Sequence, residues 1–267
     1  MTEKLMEIRD VTQRFRNAER EVVAVSRVSV QVDAGSVTCL VGESGSGKTT
    51  LARIAAGLDK PTAGSIHYRG QDISQLRGPG FMRFRREVQY VHQDPYASLN
   101  PTRTVLSTVL SALGARRNRT RRRATELLER VELTPADLFL ERYPHQLSGG
   151  QRQRVALARA LATEPALIIA DETTSMLDAS IRGSMINLLS ELRDDLGVGF
   201  LFITHDFTLA RHFAWRGRTA VLYLGELVEY GPTPEVMDAP KHAYTKALID
   251  ALPMIRFDDA DVPDGAP

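Results

Sequence analysis

The sequence has a single cysteine in 267 residues, which excludes an internal disulfide and any cysteine-held metal cluster within one chain. Cys39 sits in the apolar run Val37-Thr38-Cys39-Leu40-Val41, the setting of a buried strand residue and not of a reactive thiol. Net charge is nearly absent too. The chain sets 34 Lys and Arg against 33 Asp and Glu, so bulk charge does not argue for nucleic acid or anionic lipid. No stretch approaches about eighteen uninterrupted apolar residues, so no membrane-spanning helix is expected. The opening MTEKLMEIRDV carries charges where a signal peptide needs an apolar core. The expectation is a cytosolic chain, or one held on a cytosolic membrane face by partners. Internal repeats and low-complexity tracts are also missing. What remains is ordinary for a soluble globular protein: 43% hydrophobic and 25% charged residues, enough for one sizeable core with an inserted subdomain.

The N-terminal region alternates. In VSRVSVQV, Val28, Val30 and Val32 share one face with Ser29 and Gln31 between them, the period of a half-buried strand. LMEIRDV reads as a weaker strand of the same kind. Beyond it come short apolar runs: VTCLV (37–41), VQYV (88–91), LIIA (167–170), FLFIT (200–204) and AVLYL (220–224). Strands apolar on both faces and separated by helical patterns predict a mainly parallel α/β sheet covered on both sides. Helices are predicted at about 48–57, 151–163, 179–196 and 207–214. Between about 94 and 147 strand signals vanish, and ATELLERVEL suggests a helical insertion. The end of the chain, from about 256, is an acidic Pro/Gly-containing tail with little apolar surface to order it.

Gly42-Glu43-Ser44-Gly45-Ser46-Gly47-Lys48-Thr49-Thr50 follows the strand VTCLV and precedes a helix. This is G-x-x-x-x-G-K-[ST] in the context it requires. The glycines let successive N–H groups point inward at phosphate oxygens, and the helix offers its positive end to the same anion. Lys48 reaches the terminal phosphates, and the Thr49 hydroxyl can complete a magnesium shell. LIIA then runs into Asp171 and Glu172 at the carboxyl edge of a strand, where parallel α/β sheets place their ligands. Asp171 can hold magnesium, directly or through water. Glu172 is placed to activate a water in line with the γ-phosphate. An Asp-Glu pair alone would more often be a solvated strand end; with Lys48 it becomes a nucleoside triphosphatase site.

LSGGQRQRVALARALA (147–162) provides a second exposed helix N-terminus suited to a phosphate. With it the sequence resembles the ATP-binding subunits of ABC transporters, whose signature is this LSGGQ, and the resemblance runs in order through nearly the whole chain. It implies an ABC-type P-loop NTPase fold: a mainly parallel core sheet, an antiparallel N-terminal β-subdomain and the inserted helical subdomain at about 94–147. The ATP-binding domain would cover 1–255. By the same resemblance Phe15 stacks on adenine, Gln93 is the Q-loop glutamine serving metal and catalysis, and Ser148, Gly149, Gly150 and Gln151 form the signature. Asp178 closes the D-loop and His205 in FLFITHD is the switch histidine. Taken singly, Phe15 could be a core aromatic, His205 a satisfied strand-end histidine and Gln93 any loop glutamine. The family binds ATP and Mg2+ between two subunits arranged head to tail, so Ser148 and Gly150 would serve the partner's nucleotide.

QDPYASLNP (93–101) and HAYTKALIDALP (242–253) resemble the oligopeptide/dipeptide permease branch, with Ala243 where its H-P-Y-T-x-x-L ending has proline. A C-terminal extension at about 232–255 belongs to that branch. Tyr96, and the lack of a C-terminal cysteine cluster, resemble the second of its two non-identical ATPases. The partners implied are a second ATPase subunit, two membrane permeases and an extracytoplasmic solute-binding protein, with no nucleic acid. An accessory ATPase of a carbon–phosphorus lyase complex is the alternative, because its phosphate-loop and C-terminal motifs are similar. The arginines at 116, 117, 119 and 121–123 read as a solvated helix start, since no aromatics interleave with them. The loop after Glu172 departs from the family's D-E-P-T-S-A-L-D: Thr173 stands for proline and Met176 for alanine.

Overall fold

The computed structural model describes residues 3–16, 21–94, 98–113, 120–174 and 178–251. Tyr96, Met176, the arginines at 116, 117 and 119, and the acidic tail lie outside the described residues.

Two antiparallel strands open the fold, β1 (Lys4–Arg16) and β2 (Glu21–Asp33). With β4 (Ala63–Tyr68) and β5 (Gln71–Asp72) they form a sheet of order β2-β1-β4-β5. The second sheet contains β3 (Val37–Val41), β6 (Val88–Val91), β7 (Leu167–Asp171), β8 (Gly199–Thr204), β9 (Arg218–Tyr223) and β10 (Glu226–Pro232). Its order is β10-β9-β3-β8-β7-β6. Only β10, a hairpin partner of β9, runs antiparallel. This is the mainly parallel sheet with an N-terminal antiparallel sheet that the sequence predicts.

Both faces of the larger sheet are covered, and the pleat divides its side chains between two cores. Val37, Cys39, Val41, Ile168, Ala170, Phe200 and Phe202 point into one core, shared with the longer helices. Leu40, Leu167, Ile169, Leu201 and Ile203 point into the other, shared with β1, β2 and the first helix. A period of two with apolar residues on both faces is why these strands read as unbroken apolar runs. Cys39 is fully buried, and that burial pushes its thiol pKa upward. It packs like a small hydrophobe, as expected of a strand residue.

Helix α1 (Lys48–Ala55) follows β3, and α2 (Gly78–Glu87) leads into β6. Between β6 and β7 the described residues contain no strand. They hold α3 (Val105–Ala112), α4 (Arg121–Arg130), α5 (Asp137–Leu140) and α6 (Gly149–Leu161). Arg121 starts α4 and pairs with Asp137 and Glu141, so the described end of the arginine run is committed to ion pairs in the insertion. Helix α7 (Ala179–Leu196) matches its predicted span, and α8 (Phe207–Phe213) nearly so. Helix α6 starts two residues before its predicted start because Ser148 caps it. Helix α1 is shorter than predicted; Gly57, at φ +65°, turns the chain out of the helix. Helices α9 (Thr233–Asp238) and α10 (Ala243–Asp250) end the described chain.

Candidate functional site

Strands β3, β8 and β7 lie side by side, and their carboxyl ends deliver Gly42, His205 and Asp171 to one edge of the sheet. This edge opens into a cleft of about 570 Å³ lined by Gly42, Glu43, Ser44, Gln93, Glu172, His205 and Leu248. The six predicted site residues that line it come from β3's loop, β6's loop and the ends of β7 and β8, which are far apart in sequence.

The phosphate loop curls as its glycines require. Gly45 has φ +82° and Gly47, which caps α1, φ +98°. A Cβ on Gly47 would lie 2.2 Å from the Ala24 carbonyl oxygen. One on Gly45 would meet nothing within 4 Å. Gly47→Ala should therefore cost more than the ~1–2 kcal/mol of a left-handed L-residue, with lost nucleotide affinity. Gly45→Ala should cost only about that conformational strain. Thermal unfolding and nucleotide titration of both variants would check the contrast, and equal effects would contradict it.

Lys48 is buried, and its Nζ donates to the carbonyls of Gly42 (2.8 Å) and Glu43 (2.7 Å). Burial lowers its pKa, while the carboxylates of Glu172, Asp171 and Glu43 pull it back up. Helix α1 begins without a side-chain cap, so its leading N–H groups are available to an anion. Ser46 Oγ is buried and has no hydrogen-bond partner among the described residues. An uncapped helix start, a buried orphan hydroxyl and a lysine at one loop fit a polyphosphate.

The oxygens for a hard cation lie beside it. Thr49 Oγ1 donates to Asp171 Oδ1 at 3.1 Å. Among the described residues no cluster of three or more His, Cys, Asp or Glu side chains could hold a metal by itself. One carboxylate and one hydroxyl beside a phosphate loop fit magnesium, which keeps waters and substrate phosphates in its shell. Burial raises the pKa of Asp171 and Glu172 adds to the rise, against the hydrogen bonds from Tyr90 and Thr49 that lower it.

Glu172 stands apart conformationally. Its φ of +46° is left-handed, a region costly for a non-glycine residue and common where function demands it. Its N–H donates to the Ile203 carbonyl at 3.0 Å, which ties the turn to β8. Gln93 Nε2 donates to Glu172 Oε2 at 2.9 Å, and His205 Nδ1 lies 3.7 Å from Oε1. The three predicted partners of the reaction centre thus meet at one carboxylate.

Other predicted residues do not join the lining of this cleft. Ser148 and Gly149 are exposed, and Ser148 and Gln151 form a capping box at the start of α6. Asp178 is exposed at the N-terminus of α7. Phe15 is 47% exposed on β1, paired with Val22 on the strand whose Ala24 presses on Gly47. Thr50 is half-buried in α1. Thr173 is buried, with a hydroxyl unpaired among the described residues.

Two tyrosines escaped the sequence reading. Tyr90 Oη donates to Asp171 Oδ2 at 2.5 Å, yet in the run VQYV it passes for a core residue. The signal was its parallel neighbour: β6 pairs with β7, so a polar tip there faces the end of LIIAD. Tyr244 lies in HAYTKALIDALP, a motif that marks the permease branch but gives the tyrosine no role, and it reaches the phosphate loop from a helix some 200 positions away.

Comparison with known proteins adds to this geometry. The family pattern described as ABC transporter matches residues 25–175, and that of the oligopeptide/dipeptide transporter C-terminal region matches 228–265. The oligopeptide transport ATP-binding protein AppF of Bacillus subtilis is 42% identical over 266 residues, covering 95% of this chain and 80% of its own. The glutathione import ATP-binding protein GsiA of Escherichia coli is 42% identical over 263 residues, covering 94% of this chain. The match spans only 42% of GsiA's own length. Among solved structures, a dimeric ATP-binding cassette in a post-hydrolysis state with ADP and Pi superposes with a TM-score of 0.76 at 33% identity. That alignment covers 86% of this chain and 99% of the other.

Proposed function

The chain belongs to the family of ABC transporter ATP-binding proteins, and on that premise we propose that it is the ATP-hydrolysing motor of a bacterial importer. The imported solute is a di- or oligopeptide or a similar small molecule, a reading supported by the match of residues 228–265 to the oligopeptide/dipeptide transporter C-terminal region. The motor acts as one half of a head-to-tail ATPase pair at the cytoplasmic face of two permease subunits, supplied by an extracytoplasmic solute-binding protein. No helix among the described residues is long and apolar enough to cross a membrane.

The observation that carries this reading is the division of the site. One chain gathers Lys48, Asp171, Glu172, Gln93 and His205 around a cleft, while its own signature, Ser148–Gln151, lies outside that cleft's lining. A second chain's signature completes it. On binding, Lys48 exchanges its two loop carbonyls for phosphate oxygens, Ser46 gains a partner, and Phe15 offers its exposed ring to the adenine. Magnesium, held by Thr49, Asp171 and Gln93, would neutralise charge on the terminal phosphate oxygens. Glu172 accepts the proton of the attacking water, Gln93 fixes the carboxylate, and His205 holds the γ-phosphate side of the cleft. Because the nucleotide touches both chains, binding favours the closed pair and hydrolysis releases it.

Purifying the tagged chain from solubilised membranes should recover two membrane subunits with an ATPase activity. A chain recovered free of membrane proteins would sink the transport reading. Within that complex, Ser148→Arg should suppress turnover about a hundredfold while the isolated chain's nucleotide affinity stays at the wild-type value. Undiminished turnover would refute the head-to-tail arrangement.

A further inference from the structure

The C-terminal segment does more than trail behind the sheet. Glu229 on β10 accepts the N–H groups of Lys241 (2.8 Å) and His242 (3.2 Å), which fixes the approach to α10. His242 Nδ1 then accepts from the Tyr244 N–H and caps the helix. From that anchored start the Tyr244 ring packs on Tyr223, with centroids 4.1 Å apart and planes inclined by 35°. Tyr223 ends β9, the parallel neighbour of β3, so the pair sits beside the point where β3 enters the phosphate loop. There Tyr244 Oη accepts the Glu43 N–H at 3.1 Å. One turn further along α10, Leu248 lines the cleft that Glu172 and His205 also line.

The phosphate loop is braced elsewhere at its far end, where the Gly225 N–H donates to the Ser46 carbonyl at 3.2 Å. Its near end is different. Glu43 and Ser44 are exposed, and Lys48 draws on the Gly42 and Glu43 carbonyls. The Glu43 N–H is held by Tyr244. This contact restrains the Gly42–Glu43 segment whose carbonyls Lys48 gathers, at the entry to a loop whose successive amides suit phosphate oxygens.

We propose that Tyr244 is a positioning residue for the phosphate loop, so that the C-terminal segment forms part of the nucleotide site and sets its affinity. The proposal rests on the nucleotide-site reading above. Tyr244→Phe removes the acceptor and keeps the ring on Tyr223; Tyr244→Ala removes both. In the nucleotide-free full-length chain, amide exchange of peptides spanning 40–47 should become about fivefold faster in Tyr244→Phe, the worth of one ordinary hydrogen bond. The dissociation constant for the fluorescent analogue MANT-ATP should rise roughly three- to tenfold, with a larger rise in Tyr244→Ala. The melting temperature of Tyr244→Phe should stay near wild type, whereas a merely structural residue would lower it without changing affinity. If wild type binds MANT-ATP and both variants match it in affinity and loop exchange, the inference is overturned alone. A wild-type chain with no affinity for MANT-ATP would overturn the nucleotide-site reading and this inference with it.

Discussion

Replacing Glu172 by Gln is expected to leave nucleotide binding near wild type and to cut steady-state hydrolysis by the assembled complex about a hundredfold or more. The substitution is close to isosteric, and the surroundings of the side chain make it a clean test. The backbone turn at φ +46° is held by the N–H bond to Ile203, which does not depend on the side chain. Gln93 Nε2 can donate to the new amide oxygen as it does to Oε2. What disappears is the negative charge and the basicity, so only the step that needs a proton acceptor should suffer. A competing view makes Glu172 a structural tie between the loops of β6 and β8, through Gln93 and His205. That view predicts a lower melting temperature and weaker binding with little specific loss of turnover. Hydrolysis near the wild-type rate in Glu172→Gln would end the assignment of Glu172 as water activator.

Such a centre was largely legible in the sequence because its parts are short local patterns with a physical meaning. The glycine spacing of 42–47 demands left-handed turns, and Gly45 and Gly47 adopt them. The run LIIA must be a buried strand, so Asp171 had to surface at its carboxyl end. The two-sided apolar strands gave the sheet's parallel core, since only a covered sheet has no polar face. The residues that sequence reasoning lost act across the fold. Tyr90 meets Asp171 only because β6 lies against β7 in register. Tyr244 meets Glu43 only after β9, β10 and two helices have returned the chain to the sheet's edge. The capping box of Ser148 and Gln151 was legible in principle, as Ser-x-x-Gln before an apolar run, although the signature drew attention elsewhere. Asp178 and Phe15 are both exposed, the one at the start of α7 and the other on β1.

Lys48→Ala should weaken nucleotide binding itself, by about tenfold to a hundredfold, the range for losing a charge-assisted hydrogen bond to phosphate. The ammonium is buried among three carboxylates and two carbonyls, a setting prepared for a cation in the absence of any nucleotide. Its removal has two consequences that act in the same direction. The empty loop loses the donor that gathers the Gly42 and Glu43 carbonyls, so its curl should loosen. The remaining negative charge of Asp171, Glu172 and Glu43 then repels a polyphosphate with no lysine to offset it. Both effects raise the dissociation constant, and neither requires the fold to change, because the cores on the two faces of the sheet do not include Lys48. Titration with MANT-ATP alongside thermal unfolding separates the cases. Weak binding with a near-normal melting temperature supports the role of Lys48 at the terminal phosphates. Unchanged affinity would remove the phosphate-loop assignment, and Lys48→Arg helps to interpret it. Arg keeps the charge but carries a bulkier planar head, for which a buried cradle sized to an ammonium has little room. Lys48→Arg should therefore bind scarcely better than Lys48→Ala if position matters as much as charge.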